Sequence, residues 1–236
     1  MIKTIDDRRL ALIFTSDRLI PYLVDLFYSE LQKALSKHHR FNVALAGGST
    51  PKKLYQALVQ DTRSETTDWR KVFVFYGDER AVPLDDEESN YHMSLSSGFN
   101  KLRGINLIPM KAYLKENSAC VDYESKLPEY LDLIFLGMGD DGHTASLFPK
   151  DPLCDVKNQK VALGFIKAKN TYRMTLTFPY INKSHCIVML IVGDSKKEKV
   201  KEVLSNEGQA NPAFFIGTKE HKVHFVMDES AALLLD

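Results

Sequence analysis

Leu131-Asp132-Leu133-Ile134-Phe135-Leu136-Gly137-Met138-Gly139-Asp140-Asp141-Gly142-His143-Thr144-Ala145-Ser146-Leu147-Phe148-Pro149 is the stretch on which the fold turns. Its first six residues are mostly large and apolar, and they run directly into a loop with three glycines, two aspartates and a histidine. A short apolar run without polar alternation reads as a strand buried on both faces. Residues 41–46, 72–76 and 186–192 repeat the pattern. Helical segments follow at 51–60 and 195–204, and a longer one at 16–39 carries Leu19, Leu23, Leu26, Phe27, Leu31, Ala34 and Leu35 at helical spacing, with Ser16 as its expected N-cap. Strand–helix alternation predicts an α/β chain with a mostly parallel sheet covered by helices on both faces. In such sheets ligands bind beyond the carboxyl ends of the strands, so the loops after these runs are the places to look for chemistry.

The bulk properties are compatible with this reading. The chain has 236 residues, long enough for a substantial core, and the whole of 1–236 is expected to form a single domain. Segments 61–68 and 85–88 read as loops too short to link domains. Lys+Arg and Asp+Glu both number 31, so no global positive field favours nucleic acid or an anionic membrane. Cys120, Cys154 and Cys186 form no C-x-x-C pair, which argues against a disulfide framework or a structural zinc site, and Cys186 is expected to be buried. The charged residues of the first fourteen positions do not suit a signal peptide, and no apolar run approaches the roughly 18 residues of a membrane span. The cytoplasm is the expected compartment.

Four strand ends carry candidate residues. Gly47-Gly48-Ser49-Thr50-Pro51 leads into a helix whose free N–H groups suit an anion, with Pro51 expected at the first helical position. It is not a Walker loop, since G-x-x-x-x-G-K-[ST] is absent. Gly77-Asp78-Glu79-Arg80 follows the second strand. Arg80 has the planar fork that grips phosphate, and Asp78 suits sugar hydroxyls or proton transfer, although a solvated turn explains the sequence equally well. Ser89-Asn90-Tyr91 reads as a helix start with polar groups toward the same cleft. In the third loop Gly137, Gly139 and Gly142 spell G-x-G-x-x-G, but no acidic residue stands between Asp155 and Asp194, which argues against the dinucleotide reading. His143, on a glycine-flexible turn beside Asp140 and Asp141, is instead the candidate general base, with either aspartate able to orient it. Lys196 begins the helix after the fourth strand, and Arg173 lies on a strand edge. His38 and His39 are expected at a solvated helix end. His221 and His224 fall on an expected strand, facing opposite sides, and His92 and His185 show no partner cluster.

In this order, GGSTP at 47–51, GDER at 77–80 with SNY at 89–91, LGMGDDGHTASLFP at 136–149, RMTLT at 173–177 and GDSK at 193–196 resemble the 6-phosphogluconolactonase family over most of the chain. The resemblance implies a Rossmann-like, three-layer αβα fold shared with glucosamine-6-phosphate isomerases. It implies hydrolysis of 6-phosphoglucono-1,5-lactone to 6-phosphogluconate in the oxidative pentose phosphate pathway. Carried over by motif, His143 is the base and Asp78 sits beside the lactone. Gly48, Ser49, Thr50, Arg80 and Lys196 bind the phosphate, with Asn90, Gly139, Asp141 and Arg173 completing the site. Residues 169–172 lack the prolines of the family pattern, so the backbone near Arg173 is expected to differ. No cofactor and no metal are expected, because a lactone is already an activated ester. The expected partner is a small sugar-phosphate lactone, with no nucleic acid and no membrane, and the chain is expected to be a monomer or a weak homo-oligomer. The related isomerase loop resembles DGHIAFNEP, with a glutamate where this chain has Phe148, which favours the lactonase. A sugar-phosphate sensor is the other alternative, but the stretch before Gly47 shows no basic recognition helix.

Overall fold

Strands that must be buried on both faces need a helix between each parallel pair, and the chain supplies them in order. The computed structural model describes residues 1–205 and 208–235. Its elements are β1 (Ile2–Thr4), β2 (Arg9–Phe14), α1 (Ser16–His38), β3 (Phe41–Leu45), α2 (Ser49–Gln60), α3 (Arg63–Thr66), β4 (Val72–Tyr76), β5 (Asp78–Arg80), α4 (Asn90–Ser96), β6 (Asn106–Leu107), α5 (Asn117–Lys126), β7 (Leu133–Gly137), β8 (Val161–Ile166), β9 (Thr171–Leu176), α6 (Phe178–Ile181), β10 (Cys186–Ile191), α7 (Lys197–Leu204) and β11 (Val223–Asp228), joined by short 3₁₀ turns. Eight strands form one sheet in the order β1-β2-β11-β10-β7-β3-β4-β6. Every neighbouring pair in it is parallel except β1 with β2. The four strands expected from sequence are its centre, and nearly all their residues are buried. The fold is Rossmann-like.

The polarity of the sheet positions the site. From β3 the chain passes through α2 to β4 on one side, whereas β7 hands on to β10 on the other. Neighbours β3 and β7 therefore flank a point where the strand order reverses, and a crevice opens there at the strands' carboxyl ends.

A second sheet was not expected. β5, β9 and β8 form an antiparallel sheet in that order, with Arg80 directly opposite Arg173. Gly77 joins it to the main sheet, donating to Leu45 O at 2.9 Å and accepting from Leu176 N at 2.8 Å.

Several local expectations shift. Thr15, not Ser16, is the N-cap of α1. Helix α2 begins at Ser49, so Pro51 sits third, still inside the first turn where its missing N–H does no harm. Segment 61–68 contains α3 and is not a plain loop. The last helix starts at Lys197 after a 3₁₀ turn, so Lys196 precedes it. His38 is not simply solvated: its Nε2 lies 2.8 Å from the buried Asp132 carboxylate, which also accepts the Asn42 N–H at 2.8 Å. His185 is not isolated either, since its ring centroid lies 4.2 Å from that of Tyr130 and 5.8 Å from that of His221. His221 lies before β11 and His224 on it, so the two do not share a strand.

Candidate active site

The crevice is a cavity of about 230 Å³. Gly47 and Gly48 wall it after β3, Gly77, Asp78 and Arg80 after β4, Gly139 and His143 after β7, and Arg173 from β9. Three loops that follow strands of the parallel sheet and one strand of the second sheet, all distant in sequence, thus converge there.

His143 is held by its own loop. The Gly142 N–H reaches Gly139 O at 3.0 Å, and the Gly139 N–H reaches His143 O at 2.9 Å, folding residues 139–143 back on themselves. A Cβ on Gly139 would lie 2.1 Å from the imidazole, so only glycine admits the ring. Between the two aspartates the geometry is unambiguous. Asp141 Oδ1 is 2.5 Å from His143 Nδ1 and also accepts the His143 backbone N–H at 3.1 Å. Asp140 turns away and takes Lys196 Nζ at 2.5 Å. Burial pushes the Asp141 carboxyl up, but the side-chain and backbone hydrogen bonds from His143 outweigh it and hold the group below its ordinary value. An ionised Asp141 makes Nδ1 the N–H donor and leaves the Nε2 lone pair available. The ring also stacks on Phe148, with centroids 4.1 Å apart and planes at 20°.

Asp78 is the second fixed carboxylate. Its Oδ2 accepts from Ser146 Oγ at 2.6 Å and its Oδ1 from Asn90 Nδ2 at 3.0 Å, with Arg173 Nη1 3.9 Å from Oδ2. Asn90 is 1% exposed and is not part of the cavity wall; it braces Asp78 from behind. A Cβ on Gly47 would meet Asn90 Oδ1 at 2.2 Å, which is why that wall needs glycine. Glu79 points the other way. It accepts the N–H groups of Arg80, Asn90 and Tyr91 and the Ser89 hydroxyl, closing the N-terminus of α4. Burial raises its carboxyl above the ordinary value in spite of those bonds.

Arg80 and Arg173 form a cationic wall. They are cross-strand partners, both Nε atoms are buried without a hydrogen-bond partner, and Arg80 Nη1 donates to Glu88 O. Burial pushes the Arg173 guanidinium below its ordinary value; Asp78 opposes that and Arg80 adds to it. Like charges directly opposite are unfavourable unless an anion joins them. The N-terminus of α2 opens beside them with no side-chain cap on Gly48, whose φ is 112°. Ser49 and Thr50 do not line the cavity, nor does Lys196, which pairs with Asp140.

Residues 15–225 match the family described as glucosamine-6-phosphate isomerases/6-phosphogluconolactonase. The chain belongs to that family. Among its curated relatives, a 6-phosphogluconolactonase of Synechocystis sp. is 33% identical over 86% of this chain and 88% of its own. A probable 6-phosphogluconolactonase of Drosophila melanogaster is 32% identical over 92% and 91%. The crystal structure of the 6-phosphogluconolactonase from Thermotoga maritima superposes with a TM-score of 0.77 at 28% identity, covering 92% of this chain and 98% of that one. A monomeric glucosamine-6-phosphate deaminase shares the fold, with a TM-score of 0.78 at 19% identity over 95% of this chain and 99% of that one.

Within this family member the sequence motifs supplied His143, Asp78, Arg80, Gly48, Gly139 and Arg173 to the cavity wall. It did not single out Ser146, fully buried against Asp78, or the stack of Phe148 on His143. Both depend on the tight turn in which Thr144 and Leu147 exchange hydrogen bonds, with Ala145 at φ 49°. A left-handed alanine gives no signal in the sequence.

Proposed function

We propose that the chain hydrolyses 6-phosphogluconolactone to 6-phosphogluconate, the lactonase step of the oxidative pentose phosphate pathway. The observation that carries this reading is a base-ready imidazole and a pair of arginines facing one another across a single small cavity. The curated relatives at about one-third identity, which are lactonases, support it. Phe148 favours the lactonase over the isomerase, because a ring fills the place where a second carboxylate would be needed.

In this mechanism Arg80 and Arg173 take the phosphate, aided by Gly48 at the start of α2, while Ser49, Thr50 and Lys196 stand outside the cavity wall. That anchorage sets the lactone carbonyl within reach of His143. His143 Nε2 accepts a proton from water as the water oxygen attacks C1, and Asp141 stabilises the imidazolium that forms. The tetrahedral intermediate collapses by breaking the bond from C1 to the ring oxygen, which receives the proton from Nε2. Asp78, with both oxygens already accepting hydrogen bonds, serves as a fixed acceptor for sugar hydroxyls while it orients Arg173. The chain acts in the aqueous phase on a diffusible substrate and needs no added cofactor.

The test presents freshly generated 6-phosphogluconolactone and, separately, glucosamine 6-phosphate. Acid release above the spontaneous rate with the first and no ammonia from the second is expected. Ammonia release, or acid release at the spontaneous rate alone, overturns the assignment.

A further inference from the structure

Asp141 and the Gly139 backbone both meet the His143 ring at its Nδ1–Cε1 edge. A hydrogen bond at Nδ1 leaves the imidazole free to tilt about that contact, and tilting swings Nε2 away from the carbonyl it must serve. One face of the ring meets Phe148, whose centroid is 4.1 Å away and whose plane is inclined by 20°. Phe148 is itself buried and its backbone is tied down: it is 3% exposed, its carbonyl accepts from Asp151 N at 3.1 Å and Cys154 Sγ at 3.2 Å, and Pro149 follows it. The Thr144–Leu147 turn returns the chain beneath the histidine, which is how a residue five positions on comes to lie flat against the ring.

We propose that Phe148 is a positioning residue for the lactonase reaction: its ring forms the plate against which His143 is held flat, so that Nε2 keeps one direction into the cavity. This rests on the lactonase reading above. Core packing alone accounts for a buried apolar side chain at 148, but it requires neither a ring nor a parallel one. A leucine or methionine of similar volume fills the space and leaves the imidazole free to tilt. Displacing a reacting group by about 1 Å lowers turnover on the order of 10²-fold.

The experiment is a double-mutant cycle on 6-phosphogluconolactone with wild type, F148L, H143A and F148L/H143A. F148Y is the conservative control, and urea midpoints check folding. Expected are a kcat for F148L about 10- to 100-fold below wild type, KM within about threefold, recovery in F148Y, and no further loss when F148L is added to H143A. Wild-type kcat in F148L overturns the proposal, and so does an equal fold-loss in both backgrounds, which marks a structural effect not routed through the histidine. If F148L lowers the urea midpoint severely, F148M takes its place in the same cycle. A wild-type protein that does not hydrolyse the lactone overturns the lactonase reading itself, an outcome distinct from an active enzyme indifferent to position 148.

Discussion

Asp141→Asn changes one atom and separates the two things the carboxylate does. In the native protein a single oxygen accepts both His143 Nδ1 at 2.5 Å and the His143 backbone N–H at 3.1 Å. If the asparagine keeps its carbonyl toward the ring, the tautomer survives and only the charge assistance to the imidazolium is lost. The difference between a charged and a neutral hydrogen bond, about 1 to 1.5 kcal/mol, corresponds to roughly 5- to 15-fold in kcat. If the amide presents its NH₂ instead, Nδ1 must accept, the ring proton moves to Nε2, and the base is blocked. Amide replacement of the orienting aspartate in a serine-protease triad shows about 10⁴-fold by that route. The expected loss in kcat therefore lies between about 5-fold and 10⁴-fold. KM stays close to wild type, because Asp141 is not part of the cavity wall. The urea midpoint also stays close, because the Asp141 side chain is 44% exposed and its pairing is screened. Initial rates of acid release from fresh lactone give both constants. An Asp141→Asn enzyme with wild-type kcat, or one altered only in KM, would refute the orienting role.

Three further outcomes follow from the same geometry. Arg173→Met removes one arm of the cationic wall and should raise KM for the lactone and Ki for inorganic phosphate by about 10- to 100-fold, read by steady-state inhibition; unchanged constants would place the phosphate elsewhere. Gly139→Ala puts a Cβ 2.1 Å from the imidazole and should abolish turnover while the protein still unfolds cooperatively in urea; near-normal turnover would mean that the loop has room to move. His224 resists protonation because burial lowers its affinity for the proton and its Nδ1 has no partner. Its neutral form therefore contributes stability that is complete above the ordinary histidine range and is lost as pH falls through the depressed value. The urea midpoint should drop between pH 7.5 and pH 5 by less in His224→Phe than in wild type, and equal drops would contradict the assignment.

The parallel sheet was legible because its central strands are buried on both faces and read as unbroken apolar runs; β4 matches the expected 72–76 at both ends. The small antiparallel sheet was hidden for the opposite reason. β5 is Asp78-Glu79-Arg80, three charged residues that on propensity alone make a turn, and they form a strand because Glu79 receives the start of α4 and Arg80 meets Arg173. Arg173 thereby stands on the middle strand of that sheet, not on an edge. Motif reading supplied the residues of the wall but could not sort front from back. Asn90 shares its loop signature with substrate-binding residues, yet it braces Asp78 from behind. Asp140 and Asp141 are neighbours with identical side chains, and only the fold of residues 139–143 assigns one to the histidine and the other to Lys196.

The most direct test of the central claim is acid release from freshly generated 6-phosphogluconolactone, above the spontaneous rate, for wild type and His143→Ala side by side. The account predicts ready turnover by the wild type, a loss of kcat on the order of 10³-fold or more in the variant, and little change in its affinity for inorganic phosphate. Full turnover in His143→Ala would contradict it.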